Sequence, residues 1–81
     1  MKIGEVLLIA RELKGWSQRE LQAKSGVSHA IIAQMETGYI KSPSFIKVAK
    51  LAGALNISLD RIAKMTNGEA DLEVSENGGG E

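Results

Sequence analysis

The stretch Ser17–Gly38, SQRELQAKSGVSHAIIAQMETG, decides the fold. Ser17 is a helix N-cap whose hydroxyl can accept from the first turn, and Glu20, three residues on, can reach back to the Ser17 backbone N–H. A helix therefore starts at Ser17. Its apolar positions are few, Leu21 with help from Ala23, so it buries one narrow side against its neighbours. Gly26 falls where the chain must leave that helix through a left-handed conformation, which costs a residue bearing a Cβ roughly 1 kcal/mol or more. Val27 then supplies an apolar plug, Ser28 a second N-cap, and the next helix runs to a stop at Gly38. Helix, tight turn and helix follow without slack. This is the layout of a helix-turn-helix, whose second helix can lie in a DNA major groove.

Projected at about 100° per residue, that second helix places Ile32 and Met35 on the core side, flanked by Ile31 and Glu36. The opposite side carries His29, Ala30, Ala33, Gln34 and Thr37, small or uncharged polar groups unlike the Lys/Glu mixture of a solvated helix. Such a face suits a surface approached closely. In a major groove Gln34 could bond the N6/N7 edge of adenine, His29 could donate to a base acceptor or a phosphate, and the alanine methyls could touch thymine methyls.

The remaining helices follow from pattern. A first helix over about residues 3–14 places Ile3, Val6, Leu7, Ala10 and Leu13 on one broad face, with Gly15 closing it and Leu8 and Ile9 left outside. A fourth begins near Ser44, after Pro43, and offers Phe45, Val48, Ala49, Leu51, Ala52 and Leu55 before Asn56 ends it. The fifth is capped by Ser58, has Asp60 in its first turn, and buries Leu59, Ile62 and Met65. No strand pattern competes, so the expected fold is all-α, a compact five-helix bundle around a central helix-turn-helix.

With Gly15-Trp16-Ser17-Gln18, Glu20-Leu21, Gly26-Val27-Ser28, Ile32, Glu36-Thr37-Gly38, Pro43 and Leu51-Ala52 in place, residues 3–65 resemble the five-helix DNA-binding domain of the phage repressor and Cro family, also called the XRE family. The resemblance implies a lambda-repressor-like fold and double-stranded DNA as partner. It implies that Gln18, after the N-cap of the second helix, bonds a phosphate and braces the recognition helix, and that Ser28, His29, Ala30 and Gln34 meet bases and backbone. It also implies phosphate contacts from the loop over residues 39–42. Arg19, Tyr39, Lys41 and Ser42 are the further candidates for the DNA backbone, with Ala33 and Thr37 completing the groove-facing set. Trp16 reads better as a brace between the first two helices than as a stacking platform, and Tyr39 is open between packing and a phosphate bond. The chain departs from many relatives in having no Lys or Arg from position 25 to position 40.

Composition fits a small regulator. Eighty-one residues allow one domain, and a domain of this size buries about 60% of its unfolded surface, so stability is modest and a second copy would add to it. The absence of cysteine excludes disulfides and thiolate zinc sites and suits a cytoplasmic setting. One histidine cannot build a metal site, and the apolar run over residues 6–10 is too short for a signal peptide or a membrane span. Neither a catalytic constellation nor a phosphate-binding glycine loop is present, so no enzyme activity, cofactor or metal is expected.

The net charge of zero divides unevenly. Residues 1–65 hold all ten basic side chains against five acids, +5, and the remainder holds five acids and no base, −5. The expected organisation is a DNA-binding domain over residues 1–66 and an acidic, Gly-rich, disordered tail over 67–81. Such a tail either adds solubility or screens the basic face against nonspecific DNA. A single short helix reads few base pairs, which calls for a homodimer on two half-sites. Its interface is expected at residues 56–58 and the fifth helix, with Leu8 and Ile9 as the other patch. The expected function is that of a sequence-specific dimeric repressor; the competing one is that of an antitoxin-like module that grips a toxin, or of a protein-only scaffold.

Overall fold

In a computed structural model that describes residues 1–66, five helices follow one another: α1 (Ile3–Leu13), α2 (Gln18–Ser25), α3 (His29–Glu36), α4 (Phe45–Leu55) and α5 (Leu59–Met65). The acidic tail expected over residues 67–81 lies outside the described residues. No strand forms among the described residues, and the fold is the all-α five-helix arrangement.

Local chemistry sets the boundaries. Ser17 Oγ accepts from the Glu20 amide at 3.0 Å while a Glu20 carboxylate oxygen accepts from the Ser17 amide at 2.7 Å, so both halves of a capping box are made. Ser28, Ser44 and Ser58 each cap the following helix by accepting from the amide three residues on. Between α2 and α3, Gly26 turns left-handed at φ +81°, donating to Gln22 O at 2.8 Å, and Ser25 Oγ takes the Val27 amide at 3.1 Å. Asn56 (φ +60°) ends α4 in the same left-handed region.

The core is a single cluster. Ile3, Val6 and Leu7 of α1, Leu21 of α2, Val27 of the hinge, Ile32 and Met35 of α3, Val48, Leu51, Ala52 and Leu55 of α4 and Ile62 of α5 are all buried together. Ala10, Trp16, Ile31, Leu59 and Met65 pack against it while remaining partly open. Because α1 touches α3, α4 and α5 while α2 touches α3 and α4, the hinge is clamped from two sides. α1 and α3 pack at backbone contact. A Cβ on Gly4 would collide with the Met35 carbonyl oxygen, so the crossing is closed to any other residue.

Three apolar side chains depart from the expected core. Leu13 is 83% exposed, since it stands on the last turn of α1 at the rim of a groove shared with Leu55, Ile57 and Met65. Ala23 is exposed because two residues from Leu21 is about 200° around the helix, the far side. Phe45 is 40% exposed at the first position of α4, where side chains tilt back beyond the helix end. The first helix also ends one residue early, with Lys14 as its C-cap.

Candidate nucleic-acid interface

The interface is built outward from a buried ion pair. Arg11, near the end of α1, sends Nε and Nη2 to the two carboxylate oxygens of Glu36, the last residue of α3, at 2.7 and 3.0 Å. Its Nη1 donates to the Trp16 carbonyl at 2.7 Å. The Arg11 and Glu36 side chains are only 12% and 4% exposed, so the pair is bidentate, largely dry and oriented. The hydrogen bond to Glu36 raises the Arg11 pKa above its ordinary value, outweighing the opposing effect of burial. The guanidinium is therefore committed to holding α3 against α1 and to the start of α2.

Gln18 joins the same carboxylate. Its Nε2 donates to Glu36 Oε1 at 2.9 Å, so the first residue of α2 is tied to the last residue of α3. Gln18 thereby holds the start of α2 against the end of α3. Neither Arg11 nor the Arg11–Glu36–Gln18 network was read from the sequence, where Arg11 counted only as a positive charge. A salt bridge across 25 positions leaves no local spacing signal.

At the other end of α3 a second clamp crosses the hinge. Gln22 Oε1 accepts from the His29 amide at 2.6 Å and lies 2.9 Å from His29 Nδ1. Gln22 too was missed, because its contact appears only once α2 and α3 are folded on each other.

Between these clamps lies the outer side of α3. Ile32 and Met35 are buried, Ala30 and Thr37 are exposed, and His29, Ala33 and Gln34 are half-exposed. Among the described residues no group bonds the Gln34 side-chain amide, whereas its carbonyl accepts from the Thr37 hydroxyl at 3.3 Å and the Ile40 amide at 3.0 Å. Ser28 spends its oxygen on capping and keeps its hydroxyl proton to donate. Arg19 on α2 and Tyr39 and Lys41 beyond α3 are exposed, and Ser42 is half-exposed. Tyr39, 79% exposed, does not pack. Trp16 is half-buried against the core with the Lys24 and Lys14 ammonium groups over its ring at 4.7 and 5.6 Å, the environment of a brace.

A hinge of these two helices with its capped turn is matched by the model of the helix-turn-helix family over residues 7–62, more than half of the chain. The chain belongs to the XRE-type helix-turn-helix family. This helix-turn-helix protein is also similar to the HTH-type transcriptional regulator SlrR of Bacillus subtilis (strain 168), at 28% identity over 80 residues covering 89% of this chain and 53% of that protein. It thus spans about half the length of that relative. No solved structure matches it. The family is one of DNA-binding regulators and not of enzymes. Among the described residues no cluster of His, Asp and Glu could hold a metal ion, and no helix is long and apolar enough to cross a membrane.

Proposed function

We propose that this helix-turn-helix protein is a dimeric transcriptional repressor of the cytoplasm that reads a duplex operator through α3 in the major groove. The observation that carries the reading is the outer face of α3. It is uncharged, it is not covered by another helix, and both ends of its helix are clamped by polar contacts to α1 and α2. A rigid reader presented this way loses little conformational freedom on binding. In this reading Gln34 bonds a base edge, His29 meets another, and Ala30, Ala33 and Thr37 supply close apolar and hydroxyl contact. Ser28, Arg19, Tyr39, Lys41 and Ser42 engage phosphates, and Gln18 uses the second proton of its Nε2 for a phosphate while the first holds Glu36.

The dimer reading is supported by one groove. Ile9 and Leu13 of α1 line it together with Leu55, Asn56, Ile57, Arg61 and Met65, so of the two patches expected from the sequence, Leu8 with Ile9 and residues 56–58 with α5, the groove joins Ile9 to the second and leaves out Leu8 and Ser58. A second copy seated there would cover Leu13. The antitoxin-like reading keeps one support of its own, since Phe45 and Ile46, 40% and 66% exposed at the start of α4, lie outside that groove and could meet a toxin or another protein.

Selection of bound duplexes from a random pool tests the proposal. A two-fold motif with log affinity falling against log salt at a slope of about −0.9 per phosphate contacted is the expected result. Failure to enrich any motif overturns it, and recovery of a protein partner without duplex binding favours the scaffold alternative.

A further inference from the structure

The clamp at the start of α3 fixes more than the angle of the hinge. The His29 amide can only donate, so the Gln22 atom 2.6 Å from it is the amide oxygen, whose second lone pair then faces His29 Nδ1 at 2.9 Å. An oxygen with no proton of its own is satisfied only if Nδ1 carries one. In a neutral imidazole the other nitrogen is then bare. An unrestrained histidine in water favours the opposite arrangement, with the proton on Nε2.

We infer that Gln22 locks His29 in the Nδ1–H tautomer, so that Nε2 meets DNA as a hydrogen-bond acceptor and selects the exocyclic amino group of cytosine or adenine. The two ring nitrogens flank Cε1 and diverge, so with Nδ1 turned to Gln22 on α2, Nε2 is directed away from that helix. The ring is half-exposed, and among the described residues no group bonds Nε2. His29 is the first residue of α3, the part of a recognition helix that reaches base edges. In the major groove the only donors are the amino groups of cytosine and adenine, whereas guanine, the thymine carbonyl and every phosphate offer lone pairs that a bare nitrogen repels. His29 in this state is a base reader and not a phosphate contact, which removes one of the two roles that its sequence position allowed. Gln22, which touches no DNA in this scheme, is a positioning residue.

This inference rests on α3 entering the major groove, and the test separates the two. Nitrogen-15 chemical shifts of the wild-type imidazole are measured without DNA at about pH 8.5, so that the two neutral tautomers are compared. Motifs are then selected from a random duplex pool at that pH with wild type, His29→Ala and Gln22→Leu. The inference expects an Nδ1–H signature, one motif column per half-site that favours cytosine or adenine by about 3- to 10-fold, and loss of that preference in His29→Ala. In Gln22→Leu the same column turns to guanine or thymine or becomes flat while the other columns persist. An Nε2–H signature in the wild-type protein overturns the inference without any DNA measurement. So does a His29-dependent column that selects guanine or thymine, or a column that Gln22→Leu leaves unchanged in a folded variant. A motif with the wrong column sinks this inference alone, whereas no motif from any variant sinks it together with the reading it rests on. Should Gln22→Leu fail to fold, the wild-type spectrum and the His29→Ala column still decide.

Discussion

Glu36 accepts three hydrogen bonds, two from Arg11 and one from Gln18, at a side chain that is 4% exposed. Removing one partner of such a pair leaves a buried charge uncompensated, so Arg11→Met is expected to lose about 3 kcal/mol in urea denaturation. The double replacement Arg11→Met with Glu36→Leu should cost clearly less than the sum of the single changes, and additive losses would mean that the pair does not act as a unit. Because the folded-state pKa of Arg11 is raised, its contribution is complete below the ordinary arginine value of the unfolded chain and fades only as pH climbs through the still higher folded value. Between pH 6 and 10 (roughly, on the usual arginine scale) the Arg11 guanidinium should therefore add no slope to a stability profile. On the outer side of the same helix, Gln34→Ala should lose about 1 to 3 kcal/mol of affinity for the selected sequence and little for random duplex. Lys41→Ala should weaken both alike in binding titrations. Equal losses on both duplexes for Gln34→Ala would contradict base reading.

At the scale of the elements, the two glycines inside helices have opposite expectations. Gly4 faces the Met35 carbonyl with no room for a Cβ, so Gly4→Ala must push α1 and α3 apart and should cost about 1 to 3 kcal/mol or more in a denaturant melt. Gly53, on the exposed side of α4, has nothing within contact of an added Cβ, and Gly53→Ala should raise stability by about 0.5 to 1 kcal/mol. Only the second of these could be judged from the sequence. A glycine in a helical pattern looks like a lost methyl group until the neighbouring helix is in place.

For the whole molecule, the groove lined by Ile9, Leu13, Leu55, Ile57 and Met65 is where charge placement has the most to say about assembly. Leu13→Lys should leave the fold unchanged, because the side chain is 83% exposed, while converting a dimer to monomer in a mass measurement; a wild-type mass of one chain, free and on a palindromic site, would rule the dimer out. The acidic segment over residues 67–81 gives the chain its neutral total. Deleting it should tighten binding to random duplex at low salt, and unchanged affinity would leave it without a screening role.

The capped ends, the left-handed turn at Gly26 and the buried faces of α3 and α4 were all legible in residue order, because N-caps, glycine stops and hydrophobic period are properties of a few consecutive residues. Where Leu13 and Phe45 ended up was not, since a position on a helical face says nothing about whether a partner extends far enough to cover it. The Arg11–Glu36–Gln18 network and the Gln22–His29 clamp belong wholly to the tertiary structure. They join groups 7 to 25 positions apart through directed bonds, whose formation depends on how three helices dock and not on what any one of them contains.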